Sequence, residues 1–191
     1  MRVLLIAVNA KYIHSNPAVY SLRAYAQAAL GDLPEVGIEI AEYTINQNTE
    51  NILADIYRHR PDIAAFSCYI WNWNTIQELL PELPKLLPDT KLWLGGPEVS
   101  FHAEKILAQY TQLTGIMVGE GEETFTQLVR FYHAPEGQLQ DIPGLVLPQG
   151  RTQPRELTDM SRLPFLYEDL GKFQNRIIYY ESQRGCPFRC A

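Results

Sequence analysis

Short apolar runs alternate with longer amphipathic stretches along most of this chain. Apolar runs of the kind that form strands cover residues 2–8, 38–43, 62–67, 91–94 and 115–118. Stretches with the apolar spacing of one helix face cover residues 17–30, 49–60, 74–87, 100–110 and 122–132. Strand–helix units repeated in this order are typical of a parallel sheet that carries helices on both faces.

Local signals refine this prediction. Asn16 is expected to be the N-cap of the first helix, and Pro17 fits its first turn. The second predicted strand alternates apolar and polar residues, which favours a position near a sheet edge. Pro81 and Pro84 fall inside the third predicted helix, so a kink or an early end is expected there. The whole pattern predicts a flavodoxin-like, doubly wound α/β fold with five parallel strands in the order 2-1-3-4-5.

The pattern changes after the fifth unit, and we predict three parts of the chain. The doubly wound domain is expected to cover residues 1–135, followed by an ordered linker over 136–175. Within the linker, residues 142–148 favour a short strand that ends in a turn at 149–150. Residues 176–191 are expected to begin a second domain, because an apolar, strand-like run returns there.

Composition narrows the class of protein. The chain has 191 residues, of which 46% are hydrophobic and 20% charged, as in a soluble globular protein. Its net charge of −6 argues against nucleic-acid binding. Neither a signal peptide nor a membrane-spanning run is expected, and three cysteines without a secretory signal favour a reducing compartment. We therefore expect a cytoplasmic protein that contacts neither nucleic acid nor membrane.

Candidate binding residues lie in the loops that follow the predicted strands, because open parallel sheets bind ligands at the carboxyl ends of their strands. These candidates are Asn9, His14, Ser67, Cys68, Gly95, Gly96, Pro97, Gly119, Glu120, Gly121 and Glu122. Glycines directly after a strand let a ligand approach the backbone closely. Glu122 and Glu123 are expected mainly to complement the dipole at the start of the fifth helix. Cys68 is expected to be a buried thiol.

Two cysteines near the end of the chain form a candidate metal-ligand motif. Cys186 and Cys190 have the spacing Cys-x3-Cys and follow the apolar run at 177–180. Two ligands do not complete a metal site, so both residues could also be ordinary intracellular thiols. A redox-active pair is a further alternative, although such pairs usually have the spacing Cys-x-x-Cys.

Three motifs together resemble the B12-binding radical S-adenosylmethionine (SAM) proteins. They are Gly-Gly-Pro-Glu after the fourth strand, Gly-Glu-Gly-Glu-Glu-Thr-Phe after the fifth, and Arg-Gly-Cys-x3-Cys further on. In that family a flavodoxin-like cobalamin domain precedes a radical SAM barrel. The third cysteine of the family's Cys-x3-Cys-x2-Cys loop would fall two residues past Ala191. We therefore expect an N-terminal fragment that is not catalytic alone, whereas the intact protein would be an enzyme.

The resemblance implies roles for the candidate residues. Cys186 and Cys190 would be ligands of a [4Fe-4S] cluster that binds SAM, with Arg184 and Gly185 shaping the ligand loop. The corrin ring of cobalamin would lie against the two glycine-rich loops, with its nucleotide tail near Ser67 and Cys68. Side chains expected to close over the ring are Trp71 and Trp73, although aromatic residues at a helix start more often serve packing.

One motif departs from other cobalamin domains. Mutases and methionine synthase carry Asp-x-His-x-x-Gly after the first strand, and its histidine replaces the lower cobalt ligand. Here His14 lies in that loop, but Tyr12 replaces the aspartate and Pro17 the glycine. B12-dependent radical SAM proteins commonly lack the motif, so the departure fits the resemblance. It leaves open whether His14 contacts cobalt and whether this chain binds cobalamin.

The resemblance implies B12-dependent methyl transfer, or a radical oxidation or rearrangement, of a small-molecule substrate. The chain's own C-terminal radical SAM domain would be its partner in that reaction. An alternative is a vestigial domain that has lost B12 and only caps the barrel. A response-regulator receiver is disfavoured, because Val8-Asn9-Ala10 and Phe66-Ser67-Cys68 lack its acidic residues. A dinucleotide-binding domain is disfavoured too, because no glycine precedes Gly31.

Overall fold

One sheet of seven strands organises the part of the chain that the structure, a computed structural model, describes: residues 1–31, 33 and 35–185. Its parallel strands are β1 (Arg2–Asn9), β2 (Gly37–Thr44), β3 (Ile63–Ser67), β4 (Lys91–Gly95) and β5 (Gly115–Met117). They lie in the order β2-β1-β3-β4-β5, with β2 at the edge. The predicted parallel sheet, its strand order and the edge position of β2 are therefore confirmed.

Two short antiparallel strands extend the sheet beyond β5. They are β6 (Leu145–Leu147) and β7 (Gly150–Arg151), and β6 pairs with β5 through Ile116 opposite Val146. The expected short strand near 142–148 and the turn after it are confirmed, but the expectation of a five-stranded sheet is wrong. The free edge of β5 provides the hydrogen-bonding partner, so these two strands depend on a tertiary contact that local sequence does not show.

Seven helices connect or flank the strands in the described residues. They are α1 (Pro17–Ala29), α2 (Thr49–His59), α3 (Trp73–Leu79), α4 (Leu83–Leu86), α5 (Pro97–Ser100), α6 (Ala103–Gln109) and α7 (Glu122–His133). Single 3-10 turns occur at Leu139–Asp141, Met160–Arg162 and Leu170–Phe173. None of the described helices has the length and apolar composition that crossing a membrane requires.

Helix boundaries differ from the prediction at two places. The helix predicted over 74–87 is divided into α3 and α4, as the prolines inside it led us to expect. The helix predicted over 100–110 begins later, at Ala103, because α5 precedes it. Pro97 explains the extra helix, since its fixed φ suits a first helical position.

The core has two layers because β1 is buried on both faces. Leu4 and Ile6 point into the apolar layer formed with α2, α3 and α6. Val3 and Leu5 point the opposite way, into the layer formed with α1 and α7. This alternation follows from the period of two in a strand, and it explains why the whole run from Val3 to Val8 is apolar.

Residues 152–185, which we call the return segment, lead from β7 back to the loop after β1. Ile177 N donates to Ile13 O at 2.6 Å, and Arg176 forms an ion pair with Glu42 on β2 at 2.7 Å. Tyr167 and Phe173 are buried against the ring of Tyr20 on α1. The return segment is therefore anchored to the domain by apolar packing and by a largely buried ion pair.

Candidate functional site

A cleft of about 1420 Å³ lies at the carboxyl ends of the central parallel strands. Its inner end is lined by Leu5, Ala65, Ser67, Gly95 and Met117. The first turns of α1 border one side, and the turns after β4 and β5 border another. Parts of the return segment, including residues 163–166 and 179–185, form the outer wall. The cleft thus occupies the place where the strand order reverses, as predicted for a doubly wound sheet.

The structure brings most of the predicted site residues together. Those that line the cleft are Ser67, Gly95, Gly96, Pro97, Gly119, Glu120, Gly121 and Glu122. The three that do not line it are Asn9, His14 and Cys68. Lining the cleft does not establish a contact with a ligand, so the binding role of each residue stays a prediction.

Gly96 packs the turn after β4 closely against the turn after β3. Its φ is +107°, and a Cβ at this position would lie 2.5 Å from the carbonyl oxygen of Cys68. Cys68 N in turn donates to Gly95 O at 2.7 Å. Only glycine fits both the backbone conformation and this close packing. Cys68 is buried, as expected, and burial raises the pKa of its thiol.

The turn between β5 and α7 presents backbone to the cleft at Gly119. Gly119 has a φ of +82°, and a Cβ there would have no neighbour within 4 Å. This open space lies along the cleft, where a flat ligand can approach the peptide groups closely.

Glu122 carries a buried carboxylate at the start of α7. It accepts hydrogen bonds from Arg184 Nη2 at 2.5 Å, Arg184 Nη1 at 3.0 Å and Ser21 Oγ at 2.7 Å. Burial alone raises the pKa of Glu122, but the hydrogen bonds from Arg184 and Ser21 outweigh it and lower the pKa overall. The N-cap of α7 is Gly121, and no side chain caps it. Glu122 therefore complements the helix dipole, as expected, and also forms an ion pair that we did not predict.

Glu120, two residues before Glu122, also binds the return segment. Its Oε2 accepts from Thr158 N at 2.6 Å and from Arg184 Nη1 at 3.4 Å. Together with Glu122, it places two carboxylates of the β5–α7 turn against the outer wall of the cleft.

Asn9 and His14 lie behind the cleft wall. Asn9 Nδ2 donates to His14 O at 3.1 Å and to Glu42 Oε1 at 2.9 Å. The His14 ring shares a hydrogen bond of 2.5 Å between Nδ1 and the hydroxyl of Tyr179. Tyr179 itself lines the cleft, whereas His14 does not. Whether His14 serves as a cobalt ligand stays a prediction.

The aromatic residues near the cleft differ from those that the sequence suggested. Tyr69 lines the cleft and stacks on Trp71 with ring centroids 4.4 Å apart. Trp71 and Trp73 do not line it, and Trp73 packs against the core. The outer wall contributes Phe165 and Tyr180, which are exposed. Sequence reasoning missed this wall, because the return segment has no periodicity that marks a face.

The predicted metal ligands Cys186 and Cys190 lie outside the described residues. Within residues 1–31, 33 and 35–185, no group of three or more histidine, cysteine, aspartate or glutamate side chains is arranged to hold a metal ion. The metal-binding prediction therefore depends on the sequence motif alone.

An open α/β sheet with a large cleft at its strand ends defines a doubly wound ligand-binding domain. The model of one protein family, the B12 binding domain, matches residues 3–129. The chain belongs to this family, which confirms the B12-binding part of the resemblance noted in the sequence.

Similar proteins support the same assignment. The chain is 25% identical over 196 residues to the hopanoid C-3 methylase of Methylococcus capsulatus, covering 94% of the chain and 38% of that protein. It is 24% identical over 147 residues to the cobalamin-dependent radical SAM methyltransferase TokK of Streptomyces tokunonensis, covering 69% and 21%. The chain thus spans only about a fifth to two fifths of the length of these relatives.

A solved structure has the same fold. The structure of the cobalamin-dependent SAM radical enzyme OxsB with aqua-cobalamin and SAM bound superposes with a TM-score of 0.73 at 18% identity. The superposition covers 91% of this chain and 25% of that one. This likeness confirms the predicted doubly wound fold.

Proposed function

We propose that this chain binds cobalamin in the cleft and is the corrinoid-carrying part of a B12-dependent radical SAM enzyme. The observation that carries the proposal is the position of the cleft: its two glycine turns fall inside the residues that match the B12 binding domain. One relative named as a methyltransferase and one named as a methylase favour methyl transfer over the alternative of a radical oxidation or rearrangement.

The cleft fits a large ligand with a flat part and an extended part. Its volume exceeds the ~300–1,000 Å³ of ordinary small-molecule sites. Gly119 would lie against the corrin ring, because a Cβ there would meet only open space, and the turn that Gly96 packs on Cys68 would border the ring beside it. The part of the inner end lined by Ala65, Ser67 and Gly95 would receive the nucleotide tail, since these three side chains are small.

Bound cobalamin would supply methyl-transfer or radical chemistry, together with a [4Fe-4S] cluster and SAM held by a downstream domain. The residues of this chain would bind and orient it. The turn after β4 and the turn after β5 position the ring, and the return segment limits the access of water from the outer side. Cys186 and Cys190 are proposed as two of the cluster ligands, and the substrate is proposed to be a small molecule bound by the downstream domain.

Titration with hydroxocobalamin, followed in the visible spectrum, tests the binding proposal. We expect a saturable shift toward the base-off form. Loss of a histidine-bound signature in His14→Ala would identify His14 as a ligand, whereas an unchanged spectrum would leave the lower face without it. Absence of saturable binding would contradict the proposal and favour the vestigial domain.

A matched pair of variants locates the binding site. Gly95→Leu adds a side chain at the inner end of the cleft, where a Cβ has only ordinary contacts with Met117. We expect it to weaken hydroxocobalamin binding about tenfold or more, since overfilling a packed site costs about 1–3 kcal/mol. Gly37→Leu makes the same change at the amino end of the edge strand β2, away from the cleft, where a Cβ would have no neighbour within 4 Å. Equal affinities of the two variants would place the ligand outside this cleft.

A further inference from the structure

The ion pair between Glu122 and Arg184 connects two features that the proposed function assigns to different cofactors. Glu122 begins α7 and lines the cleft, whereas Arg184 lies two residues before Cys186. Their side chains are 5% and 17% exposed, and two nitrogen–oxygen contacts join them. A paired, two-contact geometry fixes both the distance and the orientation of the guanidinium plane.

Arg184 is surrounded by more negative than positive charge. Besides Glu122, it contacts Glu181 at 2.8 Å and Glu120 at 3.4 Å. Three carboxylates therefore converge on a single guanidinium, and only one of them, Glu181, belongs to the same stretch of the return segment. Without Arg184 these carboxylates would repel one another, and Glu122 would remain buried without a cation.

We propose that Arg184 is a positioning residue that holds residues 179–185 against the β5–α7 turn. Because residues 179–185 form the outer wall of the cleft, the ion pair sets the position of the chain relative to the cleft up to Gly185, the residue before Cys186 in sequence. The significance of this alignment rests on the proposed function, but the ion pair and its effect on residues 179–185 do not.

Arginine is required by this geometry rather than by charge alone. Lysine presents a single ammonium group and cannot form the two parallel contacts to Glu122. Arg184→Lys should therefore restore the position of residues 179–185 only in part, whereas Arg184→Gln should lose it.

Hydrogen–deuterium exchange of the 191-residue chain without corrinoid tests the proposal. We expect Arg184→Gln and Glu122→Gln each to speed exchange in residues 179–185 about tenfold at the Tyr179 amide, which donates to Tyr167 Oη at 3.2 Å. Arg184→Lys should lie between these variants and the unchanged chain. The double variant should exchange no faster than Arg184→Gln alone, because Arg184→Gln already removes the pair with Glu122. Exchange in the strands of the sheet should stay unchanged, which a general loss of stability would not allow.

Arg151→Gln is the matched control. Arg151 also lines the cleft and pairs with a glutamate, Glu104, but both side chains are about half exposed. We expect it to leave exchange in residues 179–185 unchanged. Exchange in Arg184→Gln equal to that in Arg151→Gln would overturn the proposal, whether or not the chain binds hydroxocobalamin.

A second readout separates this proposal from the binding proposal. If hydroxocobalamin binds, Arg184→Gln should release it faster, with partial recovery in Arg184→Lys, because the outer wall is loosened. Faster exchange without any corrinoid binding would refute the proposed function and retain the positioning role. Unchanged exchange with normal corrinoid binding would refute the positioning role and retain the proposed function.

Discussion

Replacing Arg176 by methionine should destabilise the protein strongly, because it leaves the Glu42 carboxylate buried without a cation. The two side chains are 13% and 14% exposed, and Arg176 Nη1 and Nη2 donate to Glu42 at 2.7 and 3.0 Å. Glu42 also accepts from Tyr20 at 2.6 Å and from Asn9 at 2.9 Å. Methionine retains most of the apolar stem, so the change removes chiefly the charge and its hydrogen bonds.

The expected loss is about 3 kcal/mol. Removal of one partner from a buried ion pair costs roughly 3–5 kcal/mol, and the remaining donors Tyr20 and Asn9 favour the lower end of that range. For a chain of this size, such a loss lowers the melting temperature by roughly 6–12 °C. The exposed pair Arg58–Asp55, with side chains 71% and 37% exposed, provides the control. Arg58→Met should change stability by less than about 0.5 kcal/mol.

Urea unfolding followed by far-UV circular dichroism at neutral pH measures both variants. Glu42→Gln combined with Arg176→Met should recover part of the loss, because the buried charge is then absent. If Arg176→Met proved as stable as Arg58→Met, the reasoning that a buried ion pair anchors the return segment would be refuted. A lower slope with denaturant, rather than a lower midpoint, would show instead that the segment detaches before the sheet unfolds.

Two further predictions concern the turn at Gly96 and the effect of acid. Gly96→Ala should lower stability by about 1–3 kcal/mol in urea unfolding, because its Cβ would meet Cys68 O at 2.5 Å, whereas Gly37→Ala should be neutral or slightly stabilising. Burial raises the pKa of Glu42, but hydrogen bonds from Arg176, Tyr20 and Asn9 lower it overall from 4.5. The stability that the Glu42 carboxylate contributes is therefore fully present above about pH 4.5, and it is lost as the pH falls through the pKa of Glu42 in the folded protein. Urea midpoints measured from pH 7 to pH 3 should fall less in Glu42→Gln than in the unchanged chain; equal slopes would contradict this assignment.

The parallel part of the fold was predictable because each strand of the sheet carries its own signal. Buried strands such as β1 are continuous apolar runs, and the edge strand β2 alternates. Residues 142–148 favoured a short strand, and β6 lies there, but three residues in β6 and two in β7 carry no signal that they join the sheet beside β5. They form because β5 would otherwise leave its outer edge unpaired.

The site was predictable to the extent that it depends on the ends of strands. Glycine turns after β4 and β5 could be located from the sequence because the sheet places all strand ends together. The ion pairs could not be predicted from the sequence, because Arg184 and Glu122 are 62 residues apart and Arg176 and Glu42 are 134 residues apart. No local rule pairs a given arginine with a given carboxylate over such distances.

The return segment also determines how flexible the chain is at the outer side of the cleft. A flexible connection lets two joined units search for each other, at an effective concentration that depends on linker length. Here residues 179–185 are themselves a wall of the cleft, so the described chain ends at the cleft without a flexible connection before it. Inserting flexible residues between Tyr167 and Tyr179 would therefore be expected to loosen this wall, because its position would then depend on a flexible linker.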